Sequence, residues 1–174
     1  MSAAEPMEVR RTYLEMTSPG DLRGARSADP ALRLERVEAC PSSFYRYLYA
    51  EVGRAYRWVD RLPWTDEDIG RHLADPAVSL WLLTVGGAPA GYFELKATPD
   101  ASVEIAYFGL LPEFIGRGLG KHLLTEAAEC AWALGPRRVW LHTCSLDDRA
   151  ALPNYLSRGF RPFREETYLV SKPV

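Results

Sequence analysis

The sequence predicts an α/β (α+β) fold with a mixed, mainly antiparallel central sheet and helices on both faces. Three apolar segments follow one another in the middle of the chain: residues 78–85, 90–96 and 103–110. The turns between them, Gly86-Gly87 and Pro99-Asp100, are short, and short turns join strands that pair antiparallel. A glycine-rich loop, a long helix and another strand come next, an order that packs a helix against the sheet.

Length and composition limit the classes of function. The 174 residues are 47% hydrophobic and carry a net charge of −2, which predicts one domain over residues 1–174 and argues against nucleic-acid binding. The three cysteines show no CxxC spacing and the histidines no metal-ligand pattern, so neither a disulfide framework nor a metal site is expected. Residues 1–6 contain no apolar run and no segment approaches about 18 apolar residues. We therefore expect a cytoplasmic protein without a signal peptide or a membrane partner.

The first part of the chain, residues 1–76, is predicted to hold a strand, a loop and two helices. The strand lies near residues 8–16, and the turn-forming residues of 18–30 indicate a loop. Apolar residues at helical spacing predict a helix over 41–54. A second helix should begin at Thr65, because its hydroxyl can accept from a first-turn amide and three acidic residues follow it.

The second part, residues 77–170, continues beyond the three apolar strands with alternating helices and strands. The expected elements are, in order, a helix over 118–134, a strand over 138–143, a short helix near 153–158 and a strand over about 163–170. Gly135-Pro136 ends the long helix.

The glycine-rich loop Gly116–Gly120 lies where a strand ends and the long helix begins. The first amides of a helix have no partner within it and its dipole makes this end positive, so such a loop can hold a diphosphate. Arg117 and Lys121 would add charge. The loop is not a P-loop, because His122 follows Lys121, and its GxGxG spacing differs from the GxGxxG of dinucleotide folds. A tight glycine turn without a ligand and a nucleotide-diphosphate site remain alternatives.

This loop resembles the pyrophosphate loop of the GNAT acetyltransferase superfamily, R/Q-x-x-G-x-G/A, which follows a hydrophobic-x-Pro unit. Leu110-x-Pro112 and Gly118-x-Gly120 match, whereas Ile115 stands at the Arg/Gln position. A second family element, N-x-x-A-x-x-x-Y-x-x-x-G-F, is matched downstream by Asp148, Ala151, Tyr155, Gly159 and Phe160. Asp148 stands where the family often has asparagine. Pro153 fits best in a first turn, so this helix should begin later than usual, which argues against a direct cofactor role for Asp148.

The resemblance covers about residues 78–170 and implies a GNAT-like N-acetyltransferase. Such an enzyme moves an acetyl group from acetyl-CoA, its cosubstrate, to a primary amine on a small molecule or peptide by direct attack in a ternary complex. A non-catalytic acyl-CoA-binding or sensing module is the alternative. The resemblance places the cofactor on these residues: Phe108, Leu110, Ile115, Gly116, Arg117, Gly118, Leu119, Gly120 and Lys121. Phe108 and Leu110 would pair with the pantetheine arm through their backbone groups.

Three residues are candidates for proton transfer. Tyr155 falls on the family's general acid, and a phenol can protonate a departing thiolate. Glu104 is the first candidate for the general base, because the resemblance implies it: it stands at the spacing from the glycine loop of the glutamate base in the histone-acetylating branch of the family. A carboxylate among apolar neighbours should also have a raised pKa. His142, on the same strand face as Cys144, is the competing base. An acetylated Cys144 is a remoter possibility, since no partner base is evident.

The acceptor side is expected among the aromatic residues of 44–64. Tyr56, Trp58 and Trp64 are predicted to line the substrate pocket, and aromatic walls favour an amine on an apolar or cationic group. Arginines of the same region, Arg54, Arg57 and Arg61, could instead hold an acceptor carboxylate. The sequence does not distinguish a monomer from a homodimer.

Overall fold

The computed structural model describes residues 5–171 and contains seven strands and four α-helices within them. The strands are β1 (Pro6–Met16), β2 (Leu32–Arg36), β3 (Val78–Val85), β4 (Ala88–Ala97), β5 (Ser102–Leu110), β6 (Arg138–Cys144) and β7 (Arg161–Ser171). The helices are α1 (Ser42–Gly53), α2 (Asp66–Leu73), α3 (Leu119–Ala133) and α4 (Ala151–Ser157). Residues 1–4, on which the expectation about a signal peptide partly depends, lie outside the described residues.

The strands form one sheet in the order β2-β3-β4-β5-β6-β1-β7. Every neighbouring pair is antiparallel except β5 and β6, which are parallel. The predicted mixed, mainly antiparallel sheet is therefore confirmed. Strand β1 lies between β6 and β7, so it pairs with the two strands that are furthest from it in sequence.

The local signals place most elements within two residues of their predicted bounds. Thr65 caps α2 as expected: its side chain accepts from the Asp68 amide, and the Asp68 carboxylate accepts from the Thr65 amide. Pro153 lies in the first turn of α4. Strand β2 was not predicted, because it is only five residues long and follows a turn-rich loop; it forms through pairing with β3 at the edge of the sheet.

Two apolar cores lie on the two faces of the sheet. On one face α3 and α4 cover Phe93, Leu95 and Val103, together with Leu123 of α3 itself. On the other face α1 and α2 cover a smaller core that includes Leu48, Ile69 and Tyr92. This arrangement confirms helices on both faces. No helix within residues 5–171 is long and apolar enough to cross a membrane.

Strands β5 and β6 separate after a short paired stretch, and this separation creates the site. Their pairing runs only from Ser102–Arg138 to Glu104–Trp140. On the other side of β5, Leu95 pairs with Ile105 but Glu94 pairs with Tyr107, which leaves Ala106 as a bulge. A bulge bends its strand and ends regular pairing. The backbone from Ala106 to Leu110 therefore has an open edge toward β6.

Candidate active site

One cavity of about 1200 Å³ fills the gap between β5 and β6. Its first end is lined by the glycine loop and α4, and we call it the cofactor end. Its second end is lined by the segment 56–61, the adjoining face of β4 and β5, and β6 and β7; we call it the acceptor end. The open edge of β5 runs between the two ends, so groups bound at either end can meet there.

The glycine loop presents backbone amides to the cofactor end. Gly116 and Gly118 have φ angles of +83° and +75°, the left-handed region that glycine adopts without strain. Gly118 is the N-cap of α3 and has no side-chain cap, and within residues 5–171 the amides of Gly116–Lys121 donate to no backbone carbonyl of a turn or loop. A Cβ on Gly116 would meet nothing within 4 Å. The space and the unpaired donors suit the diphosphate of coenzyme A.

Arg117 differs from the rest of the loop. Its guanidinium carbon lies 5.0 Å from the centre of the Phe114 ring, and its side chain does not line the cavity. Lys121 does line it. Of the two charged loop residues expected to help bind phosphate, only Lys121 is placed toward the cavity.

Helix α4 brings Tyr155 to the cavity beside β5. The Tyr155 side chain is only 7% exposed and packs edge-on against Phe108 and Phe160, with ring centroids 6.1 and 6.3 Å away. Burial raises the pKa of its hydroxyl, so the phenol stays protonated near neutral pH. Asn154, which sequence reasoning missed, also lines the cavity; its Nδ2 lies 3.7 Å from where a Cβ on Gly120 would be. Its only sequence signal was its place beside Tyr155.

Glu104 and His142 face each other across the gap between β5 and β6. Glu104 Oε1 lies 4.0 Å from His142 Nε2. Burial, followed by the charge of Glu94, raises the pKa of Glu104, as expected from its apolar neighbours. Burial lowers the pKa of His142, and the charge of Arg11 adds to this effect. A carboxylate and a neutral imidazole thus lie together, and both can accept a proton near neutral pH.

Cys144 lies further along the same strand face and also lines the cavity. Burial raises the pKa of its thiol, with the charge of Asp147 as a second cause. A nucleophilic cysteine needs the opposite shift, because the thiolate is the reactive form.

Glu94 was not singled out from the sequence, although it lies at the acceptor end. Its side chain is 1% exposed, and it accepts hydrogen bonds from Arg61 Nη1 at 2.7 Å and from the Tyr45 hydroxyl at 2.9 Å. His72 Nε2 lies 3.1 Å from the same carboxylate. Burial favours the neutral acid, but the bond with His72 and the charge of Arg61 outweigh it and lower the pKa of Glu94. Glu94 therefore stays ionised and is unsuited to the role of base.

The segment 56–61 forms a wall of the acceptor end, and all six of its residues line the cavity. Trp58 packs into the smaller core, with its ring 4.9 Å from that of Tyr107. The Tyr56 hydroxyl donates to Asp148 Oδ2 at 3.2 Å, and Arg57 Nη2 donates to the Ser171 carbonyl at 3.2 Å. The segment thus reaches across the cavity to the start of α4 and the end of β7.

A family model described as the acetyltransferase (GNAT) family matches residues 42–160. The chain belongs to this family. The match begins at the first residue of α1 and ends at Phe160, so it includes the glycine loop, Glu104 and Tyr155. Strands β1, β2 and β7 lie outside it.

Known GNAT proteins resemble this chain in sequence and fold. The N-alpha-acetyltransferase RimI of Mycobacterium tuberculosis (strain ATCC 25618 / H37Rv) is 33% identical over 114 residues, which are 63% of this chain and 70% of that relative. A GCN5-related N-acetyltransferase from Kribbella flavida shares the fold over 99% of this chain, with a TM-score of 0.66 and 22% identity. The chain spans 61% of the length of that relative.

The fold is also shared with a solved aminoglycoside acetyltransferase. An aminoglycoside acetyltransferase from an uncultured soil metagenomic sample, solved with sisomicin, has a TM-score of 0.63 and 15% identity; the match covers 76% of this chain and 90% of that one. At this identity the similarity concerns the fold alone.

Within this GNAT fold the cavity brings most of the predicted site residues together. Tyr56, Trp58, Glu104, His142 and Tyr155 line it, as do the predicted cofactor residues except Arg117. Trp64 does not line the cavity: it lies behind Arg61, whose guanidinium carbon is 4.7 Å from the Trp64 ring centre. It faces a second, shallower pocket beside α2 instead. His72 lines both pockets.

Proposed function

We propose that the protein is an N-acetyltransferase that moves an acetyl group from acetyl-CoA to a primary amine by direct attack in a ternary complex. One observation carries this proposal: one cavity joins a loop of unpaired amides to the partly buried carboxylate of Glu104 along the open edge of β5. An amide cradle alone would suit a binding module. Glu104 and His142 at the other end of the cavity supply the proton acceptor that such a module does not need.

The cofactor end would hold acetyl-CoA through backbone groups. Amides from Gly116 to Lys121 would bind the diphosphate, with Lys121 adding charge and Asn154 a further donor. The Ile115 amide, expected from the sequence to contribute as well, already donates to the Pro112 carbonyl at 3.3 Å. The open edge of β5 at Phe108 and Leu110 would pair with the pantetheine arm as an added strand. Bound acetyl-CoA supplies the activated acyl group as a thioester.

Proton transfer is assigned to groups on opposite sides of the thioester position. Glu104 would take the proton of the acceptor ammonium, and His142 is placed to share it. Phe108 lies four positions beyond Glu104, which is about 13 Å along a strand, so a water molecule would carry the proton between the amine and the carboxylate. Tyr155 would protonate the departing thiolate.

The acceptor is proposed to be a small primary amine or the α-amine of a peptide. Tyr56, Trp58 and Tyr107 give the acceptor end aromatic walls, and the 33%-identical relative is named an N-alpha-acetyltransferase. The three cysteines of this protein are free, which supports a proposed site of action in the cytoplasm. Trp64 does not line the cavity, so it would influence acceptor binding only by packing against Arg61, which does line it.

Thiol release from acetyl-CoA tests the proposal. The protein is incubated with acetyl-CoA and a panel of alkylamines, polyamines and short peptides, each peptide with an N-terminally blocked control. Titration calorimetry with CoA and with ATP measures cofactor binding separately. We expect saturable CoA binding, no competition by ATP, and amine-dependent thiol release. Binding without thiol release for any amine would favour the acyl-CoA-binding module, and absence of CoA binding would overturn both.

A further inference from the structure

Glu94 and Glu104 lie on the same sheet face in adjacent strands. Glu94 pairs with Tyr107, and Lys96, two residues along β4, pairs with Glu104. Because the bulge at Ala106 adds one residue to β5, Tyr107 and Glu104 point to the same face. Glu94 and Glu104 are therefore diagonal neighbours on that face, about 7 to 8 Å apart between their Cα atoms.

Arg61 is bonded to Glu94 and lines the same cavity as Glu104, on which it acts through its charge alone. Its Nη1 lies 2.7 and 2.9 Å from the two Glu94 oxygens, and it also bonds to the Tyr45 hydroxyl. Its guanidinium carbon is 4.3 Å from the centre of the Tyr107 ring and 4.7 Å from that of Trp64. The guanidinium is held between two rings and is 13% exposed, so water does little to screen its charge.

We propose that Glu94 is a positioning residue: by holding and neutralising Arg61, it prevents that buried guanidinium from making Glu104 a permanently ionised, weak base. The inference rests on the proposed function only in naming Glu104 as the base. The electrostatic relation among Glu94, Arg61 and Glu104 exists whether or not an amine is acetylated.

The charged and titratable groups around Glu104 decide the direction of the effect. They line the same cavity: Glu94 and Lys96 of β4, Arg61 and Asp60 of the segment 56–61, His142 of β6, Tyr107 of β5 itself, His72 of α2, Arg11 of β1 and Tyr168 of β7. Arg11 is paired with Glu166, and His72 lies against Glu94. Lys96 is already paired with Asp75, at 2.5 Å. His142 is neutral near neutral pH because burial lowers its pKa. Arg61 is thus the main buried positive charge near Glu104, and Glu94 is its counter-ion.

Removing one charge of the pair should shift the titration of Glu104 in a known direction. In Glu94→Gln, Glu104 loses a neighbouring carboxylate and faces an unpaired Arg61, so its pKa should fall by about one unit. In Arg61→Gln, Glu104 loses a cation while Glu94 stays close, so its pKa should rise. Removing both charges in Glu94→Gln/Arg61→Gln should return it near the wild-type value.

A merely structural role for Glu94 predicts a different result. The cluster would then stabilise the fold of the α1–α2 face, and its loss would lower stability without moving the titration of Glu104. Tyr45→Phe provides the matched control, because it removes a hydrogen bond from Glu94 and leaves every charge in place. It should lower the melting temperature and leave the pKa of Glu104 within about 0.2 units.

The test measures the Glu104 carboxyl directly and through the reaction. Carbon-13 NMR of the glutamate side chains, with Glu104→Gln assigning the signal, gives the pKa of Glu104 in each variant without any turnover. In parallel, the acidic limb of the pH profile of kcat/KM should move to lower pH by about one unit in Glu94→Gln. At a pH below this limb, kcat/KM of the variant should therefore be about tenfold higher than that of the wild type. The NMR measurement also separates this inference from the proposed function. If the pKa of Glu104 moves as expected in the variants but the wild type releases no thiol, the electrostatic coupling stands and the acetyltransferase activity is rejected.

The result that overturns the inference is a Glu104 pKa that moves by less than about 0.3 units in Glu94→Gln, or by the same amount in the single and double variants. Should Glu94→Gln fail to fold, because it leaves a buried guanidinium unpaired, Arg61→Gln and the double variant carry the test. A Glu104 pKa that does not rise in Arg61→Gln would then be the contrary result.

Discussion

The two ends of the cavity are built from different parts of the polypeptide. The cofactor end uses backbone amides of consecutive residues, Gly116–Lys121, and the open edge of one strand. The acceptor end uses side chains from elements far apart in sequence: Arg61, His72, Glu94, Glu104 and His142. A backbone site depends on local conformation, which glycine spacing controls, whereas a side-chain site depends on the register of the sheet. The two ends should therefore respond differently to substitution.

The largest expected effect separates chemistry from cofactor binding. Glu104→Gln should lower kcat by about 10²- to 10⁴-fold, because the base is lost, while the Kd for acetyl-CoA stays within twofold. Steady-state thiol release and calorimetry measure the two quantities, with Glu35→Gln on the exposed edge strand β2 as the control. A kcat within threefold of wild type would contradict Glu104 as base and point to His142.

Substitution of Tyr155 tests the region beside β5 where the two ends of the cavity meet. Tyr155→Phe should lower kcat by about 10- to 100-fold, less than the loss of the base, because a thiolate leaves more readily than most leaving groups. Its packing on Phe108 and Phe160 is kept, so the melting temperature should not fall. Unchanged turnover would leave Tyr155 with a packing role only; the measurement is thiol release under saturating acetyl-CoA.

The glycine loop tests the cofactor end alone. In Gly118→Ala a side chain must adopt a φ of +75°, which costs about 1–2 kcal/mol, and a loop that relaxes to avoid this loses its amide alignment. We expect the Kd for CoA to rise about tenfold while kcat at saturation stays nearly unchanged. Gly135→Ala is a matched control, because Gly135 has a φ of +76° at the far end of α3, away from the cavity. Equal Kd values for the two variants would refute the amide cradle.

The smallest expected effect concerns the contact that crosses the cavity. Tyr56→Phe removes the hydrogen bond to Asp148, which is worth about 1 kcal/mol, and should raise the acceptor KM by a few-fold. Burial, followed by the charge of Asp148, raises the pKa of Tyr56 to about 12, so the hydroxyl stays a donor and the effect should not vary between pH 6 and pH 9. Tyr47→Phe, at an exposed tyrosine, serves as the control. An effect that disappears within that pH range would contradict this assignment.

The sequence was most informative where function depends on backbone shape. Turn residues, apolar periodicity and the Thr65 cap predicted most elements, and three alternate glycines predicted the loop. Strand β2 was missed because its five residues form a strand only through their pairing with β3. Glu94 was missed because a single acidic residue in the apolar run 90–95 reveals its importance only when Arg61 and His72, from elements 33 and 22 residues away, meet it. Trp64 was wrongly assigned to the cavity because aromatic composition does not reveal that Arg61 lies between its ring and the cavity.

The position of β1 between β6 and β7 has a consequence for biosynthesis. Residue 6 pairs with residue 171, so the half of the sheet that bounds the acceptor end joins the earliest strand to the latest. As the chain leaves the ribosome, β1 must wait for more than a hundred residues before either neighbour exists, and closing so long a loop is slow. Until then the apolar residues of β1 have no partner strand, so this half of the sheet should be the last to form.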